Sequence, residues 1–108
     1  MVFKTKQSMI DIDWIRERVR NNEYYFSKHG DQGRQNDNLS IAELEEAVLT
    51  GRILEQYADM GRGESCLVAG FSNNKSIHVV CGHRGDWLVI VTVYIPMPPK
   101  FKSPYERA

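Results

Sequence analysis

From residue 52 to residue 95 the chain reads as four β-strands joined by short turns, and this run of hairpins constrains the fold more than any other feature. Residues 52–57 and 65–71 are strand-patterned and flank the glycine-rich segment Asp59-Met60-Gly61-Arg62-Gly63. Ser72-Asn73-Asn74-Lys75 has turn composition and leads to a third strand over 76–82. His83-Arg84-Gly85-Asp86 predicts a second turn, and 87–95 is the longest strand. Strict alternation puts Trp87, Val89, Val91, Val93 and Ile95 on one side and Leu88, Ile90, Thr92 and Tyr94 on the other. The all-apolar set is expected to fill the core. Proline cannot donate to a β-ladder, so Pro96-Met97-Pro98-Pro99 ends the sheet.

The first half of the chain supplies the layer that covers this sheet. Ile10, Trp14, Ile15 and Val19 fall near helical spacing and predict a helix over 10–21, with Asp11 and Asp13 at its positive end. Tyr24-Tyr25-Phe26-Ser27-Lys28-His29 reads as a short strand that delivers His29 at its end, and the polar segment 30–38 reads as a loop. Ser40 and Glu43 have capping-box spacing, Ile41, Leu44 and Val48 form an apolar stripe, and Gly51 sits where a left-handed C-terminal residue belongs. The order α-β-α-β-β-β-β predicts one α+β domain over 1–108, two helices packed on one face of a four- to five-stranded antiparallel sheet. Residues 1–9 and 97–108 are expected to be tails.

Fourteen Lys plus Arg balance fourteen Asp plus Glu, which argues against a protein that coats nucleic acid by bulk charge. The balance is uneven along the chain: residues 37–64 carry two basic against seven acidic groups, and 65–108 carry five against two. Glu45, Glu46 and Glu55 are accordingly expected to face away from any phosphate-bearing ligand. No apolar run is long enough for a membrane span, and the first residues lack the apolar stretch of a secretory signal, so a cytoplasmic location is expected. Cys66 and Cys81 are too few for a disulfide framework or a four-thiolate metal site and are read as buried thiols.

No metal-binding, nucleotide-binding or nucleophile motif is present, and the spacing of the three histidines fits no zinc element. What remains is a dispersed polar set: His29, Arg34, His78, Thr92 and Tyr94. Alternation puts His78 on the side of Thr92 and Tyr94 on neighbouring strands. Metal-independent RNA cleavage calls for these groups: a base for the 2′-hydroxyl, an acid for the leaving 5′-oxygen and a cation for the phosphorane. Imidazole titrates near neutral pH, guanidinium forks onto phosphate, and a phenol donates or stacks.

Four stretches carry a family resemblance: Phe26-Ser27-Lys28-His29-Gly30, the run from Ser40 to Tyr57, Ile77-His78-Val79-Val80 and Val91-Thr92-Val93-Tyr94. In order and spacing, over about residues 20–96, they resemble the bacterial family called domain of unknown function 4258. That family looks like a relative of the RelE-like and BrnT-like ribonuclease toxins of toxin-antitoxin systems. The resemblance implies a RelE-like or barnase-like fold, His29, His78 and Tyr94 as catalytic groups, and Arg34 and Thr92 as substrate contacts. It also implies no cofactor, RNA as substrate and a small antitoxin as partner. The chain departs from the pattern at Asn36-Asp37-Asn38, where the family often carries a second arginine. A non-catalytic protein-interaction domain on the same fold is the alternative, and an uncovered edge strand makes a homodimer plausible.

Overall fold

The structure, a computed structural model, describes residues 10–59, 61 and 63–108. The expected N-terminal tail, Met60 and Arg62 lie outside the described residues. Asp11 accepts a hydrogen bond from the Trp14 N–H at 2.8 Å and starts helix α1 (Ile12–Arg20), whose Ile15 and Val19 are buried. Strand β1 (Tyr24–Phe26) follows, and then the structure departs from expectation. Ser27 is an N-cap, accepting from Gly30 N–H at 2.9 Å, and opens helix α2 (Lys28–Asn36) where a loop was expected. The described residues therefore form three helices where two were expected.

Helix α3 (Ile41–Thr50) has the expected reciprocal cap, with Ser40 and Glu43 exchanging hydrogen bonds at 2.9 and 3.0 Å. Gly51 ends it in an extended conformation (φ −83°, ψ −176°), not the left-handed one. Its missing side chain matters for another reason: a Cβ there would stand 2.6 Å from the Ala47 carbonyl and 2.7 Å from that of Ala69. Strands β2 (Arg52–Tyr57), β3 (Ser65–Ser72), β4 (Lys75–Arg84) and β5 (Trp87–Tyr94) then form the expected meander. Asn73 and Asn74, both at positive φ, make the tight β3–β4 turn.

The sheet order is β1-β5-β4-β3-β2, and β1 runs parallel to β5, so the sheet is mixed and not wholly antiparallel. Where β1 ends, α2 continues along the β5 edge. Ser27 N–H donates to the Ile90 carbonyl, and the Asp37 carboxylate accepts from Ile95 N–H at 3.0 Å. Helices α1 and α3 pack over the other side of the buried layer, where Ile15, Leu44 and Val48 meet Val68, Ile77, Val79 and Ile90.

The faces of β5 differ from strict alternation. Val80 pairs with Thr92 but Cys81 pairs with Ile90, which leaves Val91 as an extra residue in a β-bulge. One extra residue resets the phase of every side chain beyond it. Leu88, Ile90 and Val93 thus face the helices, while Trp87 is exposed and Val89 half-buried on the open side, with Thr92 and Tyr94. Residues 97–108, expected as a tail, carry a small hairpin of β6 (Phe101–Ser103) and β7 (Glu106–Arg107) folded back onto that open side. No helix among the described residues is long and apolar enough to cross a membrane.

Candidate functional site

Antiparallel pairing aligns four residues of four strands in one row on the open face: Arg52, Ala69, His78 and Tyr94. The next row is Glu55, Leu67, Val80 and Thr92. A bulge between Ile53 and Glu55 keeps Arg52 and Glu55 on the same side although they are three positions apart, with Ile53 turned into the core. A cation, an imidazole, a phenol and a carboxylate therefore share one surface.

His78 lies at the centre and is 0% exposed. Its Nε2 stands 2.6 Å from the Pro104 carbonyl oxygen and its Nδ1 3.2 Å from the Tyr94 hydroxyl. A carbonyl can only accept, so Nε2 carries the hydrogen and Nδ1 of the neutral ring accepts from Tyr94. The Phe101 ring meets the imidazole edge to face, with centroids 4.6 Å apart. Burial pushes His78 below the usual imidazole range, against the upward pull of the Pro104 carbonyl and Glu55.

Glu55 is gripped by Arg107 through two hydrogen bonds at 2.7 and 2.9 Å and also takes the Tyr57 hydroxyl. These donors, Arg107 first, hold its carboxyl down at about 2. Burial and the neighbouring carboxylate push the Tyr57 phenol up to about 12, and burial raises Tyr94 as well. Arg107 also lies over the Phe101 ring at 4.8 Å, and Arg52 over Tyr105 at 4.6 Å. The hairpin thus touches every polar member of the cluster: Tyr105 on Arg52, Pro104 on His78, Phe101 on His78 and Tyr94, and Arg107 on Glu55.

Of the five residues singled out from the sequence, the structure brings together His78 and Tyr94, with Thr92 half-buried in the next row. Arg34 is committed elsewhere. Its guanidinium bonds the Leu39 carbonyl and the Asp31 carboxylate at 2.9 Å each and lies over the Phe26 ring, fixing the corner between α2 and α3. His29 is exposed in the first turn of α2 and has no hydrogen-bond or ring partner among the described residues. Glu55, assigned from charge to a face remote from substrate, instead belongs to the cluster, while Glu45 and Glu46 bond Tyr24 and Ser72. Sequence reading missed Arg52, Glu55, Tyr57 and Arg107. The alternation Arg52, bulge, Glu55, Tyr57 carries a signal only once the bulge is known, and Arg107 carries none. Among the described residues no group of three or more His, Cys, Asp or Glu is placed to hold a metal ion.

A mixed α+β domain with helices on one face and a polar cluster on the other is the class that these features define. The family model for "Domain of unknown function (DUF4258)" matches residues 26–95, more than half of the chain, and the chain belongs to that family. The match runs from β1 through β5 and so includes Arg52, Glu55, His78 and Tyr94. No curated protein and no solved structure matches the chain.

Proposed function

We infer that the chain is a metal-independent endoribonuclease of toxin type that works on the open face of its sheet. One observation carries this reading: Arg52, His78 and Tyr94 share a row with Glu55 beside them, the acid-base and cationic groups that 2′-hydroxyl attack requires. Glu55 takes the 2′-hydroxyl proton as that oxygen bonds to phosphorus. The bond from phosphorus to the 5′-oxygen breaks, and the leaving oxygen takes the Nε2 proton of His78 in its imidazolium form. Arg52 meets the phosphorane charge, and Tyr94 is a positioning residue that sets the imidazole through Nδ1. The products are a 2′,3′-cyclic phosphate and a free 5′-hydroxyl. Thr92 offers a hydroxyl at the end of the Glu55 row, and His29 and Arg34 take no part.

In this reading the hairpin β6–β7 is a cover, and RNA reaches His78 when it lifts. Lifting has a chemical consequence as well as a steric one. His78 regains water and rises toward its ordinary range, and Glu55, freed from Arg107, rises from about 2. Both changes move acid and base toward neutral pH, where proton transfer is most effective. A toxin of this kind implies a small partner protein that blocks the open face.

The test is cleavage of a labelled single-stranded RNA by the full chain in the presence of a chelator, with the fragment ends analysed. Fragments ending in cyclic phosphate are expected, a loss of about 100-fold or more in His78→Ala and Glu55→Gln, and a rate at or above wild type in Arg107→Ala. Cleavage that survives His78→Ala, or intact RNA with every soluble variant, overturns the reading.

The complete burial of His78, with both ring nitrogens satisfied, favours a second reading, a non-catalytic interaction domain. There the cluster is a clasp that fastens the hairpin, and β2, at the edge of the sheet, accepts a strand from a partner. Intact RNA throughout the same assay selects it.

A further inference from the structure

The half of the open face away from His78 holds a trough of about 370 Å³ that no hairpin residue lines. Its floor is the row Ser65, Gly82 and Val89, which Tyr25 of β1 closes. Gly82 keeps the floor low: a Cβ there would stand 3.3 Å from Cγ2 of Val91. Tyr25 lines the trough at its β1 side, and the ring of Trp87 stands next to Tyr25, outside the lining, with centroids 6.4 Å apart and planes inclined by 54°. They are 40% and 48% exposed, so two large rings turn toward water without cover from the core or the hairpin. Arg84, the register partner of Trp87, is exposed beside them, and Glu64 stands at the rim.

We propose that this trough is a nucleobase subsite in which Tyr25 and Trp87 stack a base of single-stranded RNA and Arg84 meets the adjoining phosphate. The inference takes its substrate class from the ribonuclease reading. Exposed aromatic rings on an open sheet stack unpaired bases, and every base offers a face to them. A guanidinium next to the stack binds phosphate in its planar fork.

The trough and the cluster share one face. Gly82 lies four residues beyond His78 on β4, about 13 Å at about 3.3 Å per residue. An RNA strand with a rise of about 3.4 Å per stacked nucleotide crosses that span in about four nucleotides, and in fewer when extended. A base seated in the trough therefore sets which phosphate comes to His78. The subsite supplies register, and the cluster supplies chemistry.

The experiment is fluorescence anisotropy of a labelled RNA of about eight nucleotides with 2′-O-methyl riboses, which cannot be cleaved, titrated with the full chain. Trp87→Ala and Tyr25→Ala are each expected to weaken binding about tenfold. Trp87→Phe and Tyr25→Phe keep a ring and restore most of it, and Arg84→Gln weakens binding while flattening its salt dependence. Circular dichroism confirms that each variant is folded. Absent binding, or binding that the alanine variants leave unchanged, overturns the subsite, whether or not ordinary RNA is cleaved. Ring-dependent binding without cleavage of ordinary RNA supports the subsite and overturns the ribonuclease reading. A dimer in sedimentation that Trp87→Ala dissolves assigns the rings to a second copy of the chain and overturns the subsite.

Discussion

Nε2 of His78 and the carbonyl oxygen of Pro104 lie 2.6 Å apart, a contact that ties the centre of the open face to the C-terminal hairpin. It makes stability depend on pH with a definite sign. Tyr94, Glu55, Arg107 and Phe101 surround the imidazole, and the net effect of burial is a value below the ordinary 6.5. Folded His78 therefore binds fewer protons than unfolded His78 between its depressed value and about 6.5. Its contribution is fully present above that window and is lost as pH falls through it. The carboxyl of Glu55, held at about 2, adds its own loss only at more acid pH, below its ordinary 4.5. Thermal unfolding is expected at a lower temperature at about pH 5.5 than at about pH 7.5, with a smaller difference in His78→Gln. A wild-type profile that is flat or inverted across this range would contradict the burial argument.

The ion pair of Arg107 with Glu55 is a latch rather than a pillar. Arg107 is half exposed, and pairs of that kind contribute about 0–1 kcal/mol. Arg107→Ala is expected to change global stability by no more than about 1 kcal/mol. Amide hydrogen exchange in residues 101–107 should nevertheless quicken relative to β4 and β5, because the hairpin loses its one bidentate anchor. Equal slowing or quickening in all elements would mean that the hairpin opens only when the whole domain unfolds.

What the sequence allowed and what it hid follow from how local each cause is. The α3 cap, the Asn73-Asn74 turn and the four strands of the meander rest on neighbours in sequence, and all are present. Helix α2 was hidden because Gly30 and Gly33 look like loop glycines, whereas both serve close packing on a strand that lies some sixty residues away in the chain. The Val91 bulge was hidden because period-2 alternation carries no mark of an inserted residue. His78 and Tyr94 could be paired from alternation alone, since both lie on the same side of the bulge. Arg34 and Glu55 exchanged roles because charge type says nothing about which partner a side chain meets.

Gly33 allows a direct check of that packing. A Cβ at Gly33 would stand 2.4 Å from the Val93 carbonyl oxygen, and one at Gly30 would stand 2.3 Å from that of Ile90. Alanine is intrinsically better than glycine in a helix by about 1 kcal/mol. Backbone overlap against β5 outweighs this, because neither the carbonyl nor the helix can move alone. Gly33→Ala is expected to destabilise the fold by about 1–3 kcal/mol in urea unfolding. A gain in stability would mean that α2 does not seat on the β5 edge.

Cys66 and Cys81 stand opposite each other on β3 and β4, both fully buried and both free thiols. Cys66 beside it, together with burial, pushes the Cys81 thiol well above its ordinary range, since a thiolate there would face a sulfur and no water. Thiolate is the reactive form, so at Cys81 two barriers coincide: reagent does not reach the buried sulfur and almost no thiolate awaits it, while Cys66 is protected by its burial. Labelling by an aromatic disulfide reagent is expected to be undetectable in the native protein and to follow the unfolding rate as urea is added. Both thiols should react together, because β3 and β4 form the middle of the sheet and neither can open while the other stays paired. Rapid native-state labelling of one thiol alone would require an opening of the helix layer over β3 and β4, and would place the weakest part of the fold there rather than at the hairpin.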